Sequence, residues 1–185
     1  AYPAGDAQAA HDAGRRQLDW YLQQESEGRI RIARHRDDLV LGDPPTVVLL
    51  MECADPIRTP DEAGWWIEQG VRLVGLSWGR GSRYSGGNAT PGGLTDAGRS
   101  LVNALDRLGV GHDCPHLSVE SFDELLAMSQ GPICATHSNA AAIVREDPRH
   151  LSDRQYAALA ERDAVVGLNL FARFLNRDGS ASIHD

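Results

Sequence analysis

The sequence contains no lysine. All 18 of its basic residues are arginine. That absence excludes a Schiff-base amine, a lysine general base, a phosphate loop of the Walker type and a carboxylated lysine bridging two metals. The plain reading of the bias is codon usage in a GC-rich genome, and the chemical exclusion holds regardless. Cysteine is scarce as well: Cys53, Cys114 and Cys134 are too few, and odd in number, for a disulfide scaffold. Each lies in or beside an apolar run, which reads as buried, reduced thiols and a cytoplasmic location. No apolar run approaches the ~20 residues that span a bilayer, and no signal-peptide pattern opens the chain. The net charge is −8 with no arginine stripe to interrupt it, which argues against a nucleic-acid partner.

What is present is a globular composition. Hydrophobic residues make up 42% of the 185 and charged residues 24%, enough for a single domain over 1–185 with a sizeable core. Short apolar runs alternate with amphipathic stretches. Helical patterns are expected over 6–25, after Thr59-Pro60-Asp61-Glu62, after Thr95 up to Gly109, from Ser118 or Ser121 to Ser129, and from Ser152 to about Arg162. The starts at Thr59, Ser121 and Ser152 have capping-box spacing. Strands are expected at 29–33, at Thr46–Met51 (buried on both faces), Val71–Leu76, Val110–Cys114, Pro132–Thr136 and Ala164–Leu170. Residues 79–93 hold six glycines and read as a loop. This alternation predicts an α/β fold, a parallel sheet with crossover helices, either doubly wound or part of a (β/α) barrel. In both architectures ligands sit beyond the carboxyl ends of the strands.

The polar residues at those ends are Glu52, Trp78, Asp113 and His116, His137, and Asn169. A carboxylate and two imidazoles from three strands make a metal set, because zinc takes His nitrogen and carboxylate oxygen at about 2.0–2.2 Å. Each residue alone has a plainer role: Glu52 as an arginine partner at the rim, His116 or His137 as a hydrogen-bonded core histidine. His11, His35, His112, His150 and His184 sit in polar surroundings and are expected to be solvated. Two rivals use neighbouring residues. One is a Cys₂His₂ zinc site from Cys114, His116, Cys134 and His137, although Cys134 and His137 point to opposite sides of a straight strand. The other is a Cys–His nucleophilic pair, which lacks an electropositive, exposed thiol.

Several stretches, in order, resemble the zinc dipeptidases of the renal (membrane) dipeptidase type. They are Met51-Glu-Cys-Ala-Asp-Pro-Ile57, Gly92-Gly-Leu-Thr-Asp-Ala-Gly98, Leu105-Asp-Arg-Leu-Gly109, Asp113-Cys-Pro-His-Leu-Ser118, Thr136-His-Ser-Asn-Ala140 and Pro148-Arg-His-Leu-Ser-Asp153. The resemblance covers nearly the whole chain. It implies a TIM-type (β/α)₈ barrel carrying two zinc ions, with Glu52 as the bridging, catalytic carboxylate and His116 and His137 on the second zinc. It further implies a dipeptide substrate, hydrolysed by metal-activated water and contacted by Arg149. A bridging Glu needs no carboxylated lysine, which suits the composition.

The chain departs from the family pattern in three places. The opening His-x-Asp pair that ligates the other zinc has no counterpart, nor has the late strand-end Asp that handles protons. Where the family has a substrate-binding His, this chain has Trp78, within Leu76-Ser-Trp-Gly-Arg-Gly-Ser-Arg-Tyr84, as in a divergent bacterial branch. Trp78 and Tyr84 are expected at the substrate. About five of eight strands are then present, with at most one zinc site and weak or absent catalysis. The open sheet edges favour association into a homo-oligomer. The alternatives are a catalytically inactive barrel fragment or pseudoenzyme with a binding role, or an amidohydrolase acting on a non-peptide amide.

Overall fold

Successive strands in the chain are neighbours in the sheet, and this decides between the two architectures. The computed structural model describes residues 5–143, 147–175 and 180. Asp6 accepts from the Ala9 amide at 2.9 Å and starts helix α1 (Ala7–Ser26). Strand β1 (Arg31–Ile32) then pairs in parallel with β2 (Thr46–Val47). After Val48 the chain enters β3 (Leu49–Met51), and a short 3-10 turn (Pro60–Glu62) leads into α2 (Ala63–Glu68). There follow β4 (Val71–Gly75), the hairpin β5 (Ser85–Gly87) and β6 (Thr90–Leu94), and α3 (Asp96–Arg107). Next come β7 (Gly111–Asp113), α4 (Val119–Met128), β8 (Ile133–Ala135), α5 (Asp153–Ala160) and β9 (Val165–Val166).

The main sheet has the order β3-β4-β7-β8-β9, parallel throughout. A doubly wound sheet reverses its order at a switch point; a barrel wall does not. The sheet is therefore a barrel-type wall, with all its carboxyl ends on one rim. Thr95, Ser118 and Ser152 each cap a helix by accepting from the amide three residues on. Helix α3 shows why the pattern works: Leu101, Val102 and Leu105 fall on one face and are fully buried. Burying each such side chain contributes about 1.5–3 kcal/mol. Gly98 on that helix lies against the backbone of Tyr84, where an added Cβ would fall 1.9 Å from the carbonyl oxygen. The helix can approach the hairpin only because this position has no side chain.

Several expectations are corrected. The run Thr46–Met51 is not one strand buried on both faces: it breaks at Val48, which is 44% exposed, and its two halves join different sheets. The glycine-rich stretch contains the β5–β6 hairpin, held by backbone hydrogen bonds that leave no apolar pattern. The capping box at Thr59 does not form, because Glu62 turns to the Arg58 amide and guanidinium instead. The last strand keeps only Val165–Val166 of the expected seven residues. His112 and His150 are buried, not solvated. The expectation for His184 lies outside the described residues.

Candidate metal centre at the strand ends

Three strands deliver the candidate ligands. Glu52 directly follows β3, His116 stands three residues beyond β7, and His137 two beyond β8. The turns that aim them are unusual. Cys53 and His116 adopt φ of 71° and 70°, the left-handed region that non-glycine residues rarely enter. The His116 turn is held by its own carbonyl, which accepts from the Asn88 amide at 2.8 Å and so ties the hairpin connection to the rim.

The ligand atoms converge. Glu52 Oε1 lies 3.1 Å from His116 Nε2 and 3.2 Å from His137 Nε2, and the two nitrogens are 3.2 Å apart. A tetrahedral ion with bonds of about 2.0–2.1 Å sets its ligands ~3.3 Å apart, so this near-equilateral triangle has the right edge for zinc. The donor set therefore fits a zinc ion. Hydrogen bonding from His116, and from His137 when its Nε2 carries the proton, holds the Glu52 carboxyl well below the usual carboxylate range, so it is ionised at neutral pH. Among the described residues this is the one cluster of three metal-capable groups within 4.8 Å, and it contains no cysteine. Burial pushes the Cys114 thiol up and that of Cys134 to about 12, which removes the nucleophile that a Cys–His pair needs.

A cleft of about 620 Å³ opens over the triangle. Trp78 forms part of its wall, half exposed, with its ring 5.6 Å from that of His116. Arg149 reaches in from the other side. It is 8% exposed, its Nη2 donates to the His137 carbonyl at 3.0 Å, and burial pushes its pKa down against the pull of Glu52. Asn139 donates to the carbonyls of Asn169 and Phe174 at 3.0 Å each and so steadies the far wall. Tyr84 is the misplaced expectation. Its side chain is wholly buried, its hydroxyl donates to the Ile57 carbonyl, and burial raises its pKa to about 12. It anchors the hairpin and is not in the cleft. Sequence reasoning missed Arg80, Asn88, Phe171 and Phe174 as lining residues. Their only signal was proximity to strand ends.

A singly wound parallel wall with a His/His/carboxylate triangle on its carboxyl rim defines the class: part of a TIM-type barrel with a metal-capable rim. Comparison narrows this further. The membrane dipeptidase (peptidase family M19) model matches residues 11–185, and the chain belongs to that family. An uncharacterized protein in the PQQ-III 3′ region of Acinetobacter calcoaceticus is 34% identical over 142 residues, covering 72% of this chain and 45% of its own length. A metallo peptidase from Rhodobacter sphaeroides, solved with a phosphinate mimic of the dipeptide L-Ala-D-Ala, is 31% identical with a TM-score of 0.75. The alignment covers 88% of this chain and 50% of that one. The dipeptidase AC, also a metallo peptidase, is 30% identical with a TM-score of 0.82 over 98% of this chain and 56% of its own. The chain thus spans about half the length of these relatives. No helix among the described residues is long and apolar enough to cross a membrane.

Proposed function

We propose that the chain carries the metal-binding face of a zinc dipeptidase, with Glu52, His116 and His137 as the ligands of a single zinc. The observation that carries this reading is the convergence of their three ligand atoms at the rim of a parallel wall. When bound, zinc supplies a Lewis acid that lowers the pKa of water toward ~7 and polarises a peptide carbonyl. The chain's own residues do the rest. Glu52 stays ionised and offers its carboxylate to the cation. Arg149, held by the His137 carbonyl, presents a guanidinium fork to the carboxylate of a dipeptide. Trp78, Phe171 and Phe174 give the cleft apolar walls beside its polar floor. The dipeptide mimic bound by the Rhodobacter relative supports the same substrate class here.

Copies of the chain associate through the open β9 edge of the wall, where Val165, Leu168 and Leu170 are exposed. Light scattering on a size-exclusion column tests this part, and a 20.1 kDa monomer removes it. The zinc reading is tested by metal analysis after dialysis. One zinc per chain is expected in the wild type and none in His116→Ala or His137→Ala. Unchanged zinc in both variants would sink the proposal. A panel of dipeptides and cyclic amides, assayed with and without zinc, then tests the substrate class.

A further inference from the structure

Behind His137 runs a hydrogen-bond chain that no metal ligand explains. Thr136 Oγ1 donates to Asp113 Oδ2 at 2.8 Å and lies 2.9 Å from His137 Nδ1. Asp113 is 2% exposed, and its other oxygen accepts from the Thr136 amide at 2.9 Å and the Cys134 thiol at 3.5 Å. The Thr136 amide and hydroxyl both end on Asp113, which as a carboxylate accepts from both, while the Cys134 thiol lies within reach of it and of the His112 carbonyl. A threonine hydroxyl has one proton and two lone pairs. With its proton committed to Asp113, Thr136 can only accept from His137. The 2.9 Å contact is then a hydrogen bond only if Nδ1 carries the proton. A neutral imidazole has one N–H, so Nε2 is left with a bare lone pair facing Glu52 and His116. Glu52 alone would favour the opposite tautomer, since its carboxylate sits 3.2 Å from Nε2 and attracts a proton there.

We propose that Asp113, acting through Thr136, is a positioning residue that fixes His137 in the Nδ1–H tautomer and so makes Nε2 available to a cation. The inference rests on the zinc reading above for its purpose, but the tautomer is a property of the chain itself. Outer partners of this kind set ring orientation and ligand basicity in metal sites generally.

Thr136→Val keeps the side-chain shape and removes the hydroxyl, Thr136→Ser restores it, and Asp113→Asn offers an N–H that lets Thr136 donate to Nδ1. Thr136 is exposed, so its two variants are expected to fold. The first measurement is the ¹⁵N spectrum of His137 in zinc-free protein at about pH 9, well above the ordinary imidazole range. The Nδ1–H form is expected in the wild type and Thr136→Ser, and the Nε2–H form in Thr136→Val and Asp113→Asn. The second is zinc affinity by competition with a chromophoric chelator. A loss of about 10–100-fold is expected in Thr136→Val, with Thr136→Ser within about threefold of wild type. An unchanged tautomer in Thr136→Val, or unchanged zinc affinity, overturns the proposal. If the wild type binds no zinc while the tautomer still follows the hydroxyl, the relay stands and the zinc reading falls.

Discussion

Two histidine–carboxylate groups lie on this wall, and they do opposite things. At the rim, Glu52, His116 and His137 bring three ligand atoms to within 3.2 Å of one another beneath an open cleft. In the core, His112 on β7 meets Asp106 at the end of α3, with Nε2 to Oδ1 2.7 Å. There the carboxylate is already surrounded: Ser129 donates at 2.8 Å and the Gln130 amide at 2.9 Å. The core group ties α3, β7 and the end of α4 together. The rim group gathers the ends of β3, β7 and β8 around accessible space. What separates structure from site is therefore not the residue types. It is whether the carboxylate is enclosed by donors or shares accessible space with other ligand atoms.

Substitutions on the two groups should separate accordingly. The largest effect is expected from His137→Ala, which removes a ligand. Zinc affinity should fall by more than the ~100-fold typical of outer partners, while zinc-free stability moves by no more than about 0.5 kcal/mol. Chelator competition and thermal unfolding measure the two, and a large stability loss would show that the triangle is a structural pin. The converse is His112→Ala, expected to cost about 3 kcal/mol by leaving Asp106 part-buried without its partner. Denaturant unfolding reads that loss, and zinc affinity should be unchanged.

A pH scan sharpens the same contrast. Burial pushes the His112 pKa below its ordinary value, against the pull of Asp106 and with a smaller push from Arg162. The unfolded chain therefore takes up a proton near pH ~6.5 that the native state still refuses. The stabilisation is present above that pH and is lost as pH falls toward the depressed native value, at up to about 1.4 kcal/mol per pH unit. His112→Gln should flatten this acid-side slope in thermal unfolding; an unaltered slope would assign it elsewhere. The smallest effect is expected at Ser118, two residues past His116, which caps α4 and donates to the Gly92 carbonyl. Ser118→Ala should cost about 1 kcal/mol and leave zinc affinity intact, showing that nearness to the rim is not membership of the site.

Much of the layout was legible because local chemistry carried it. Thr95 and Ser152 are caps that need only their own next turn, and helix α3 declares its buried face by spacing alone; the box spacing at Ser121 misled, because Ser118 caps α4 by accepting from the Ser121 amide. The β5–β6 hairpin escaped because Gly86 and Gly87 lie against backbone, Gly92 has a positive φ and Gly93 lies against the Glu124 carboxylate, a set that leaves no hydrophobic period to read. Tyr84 was misread for a related reason. Its place in a substrate-like segment was visible, but the Ile57 carbonyl that captures its hydroxyl lies 27 residues earlier. Glu62 had capping-box spacing and lost it to Arg58, a competition between partners that spacing cannot rank.

Residue order alone settled the chemistry on offer: no amine nucleophile, thiols set in apolar runs, and an acid and two imidazoles each placed just past an apolar run. It also settled the alternation of strand and helix, since both periods are local properties of the chain. Folding settled which histidines matter. His112 and His116 are four residues apart, yet one is sealed in the core and the other turns into the cleft at a positive φ. That outcome depends on strand register and on partners 21 residues or more away, such as His137. Only packing brings those together, because sequence spacing says how near two residues are along the chain and not which way their lone pairs face.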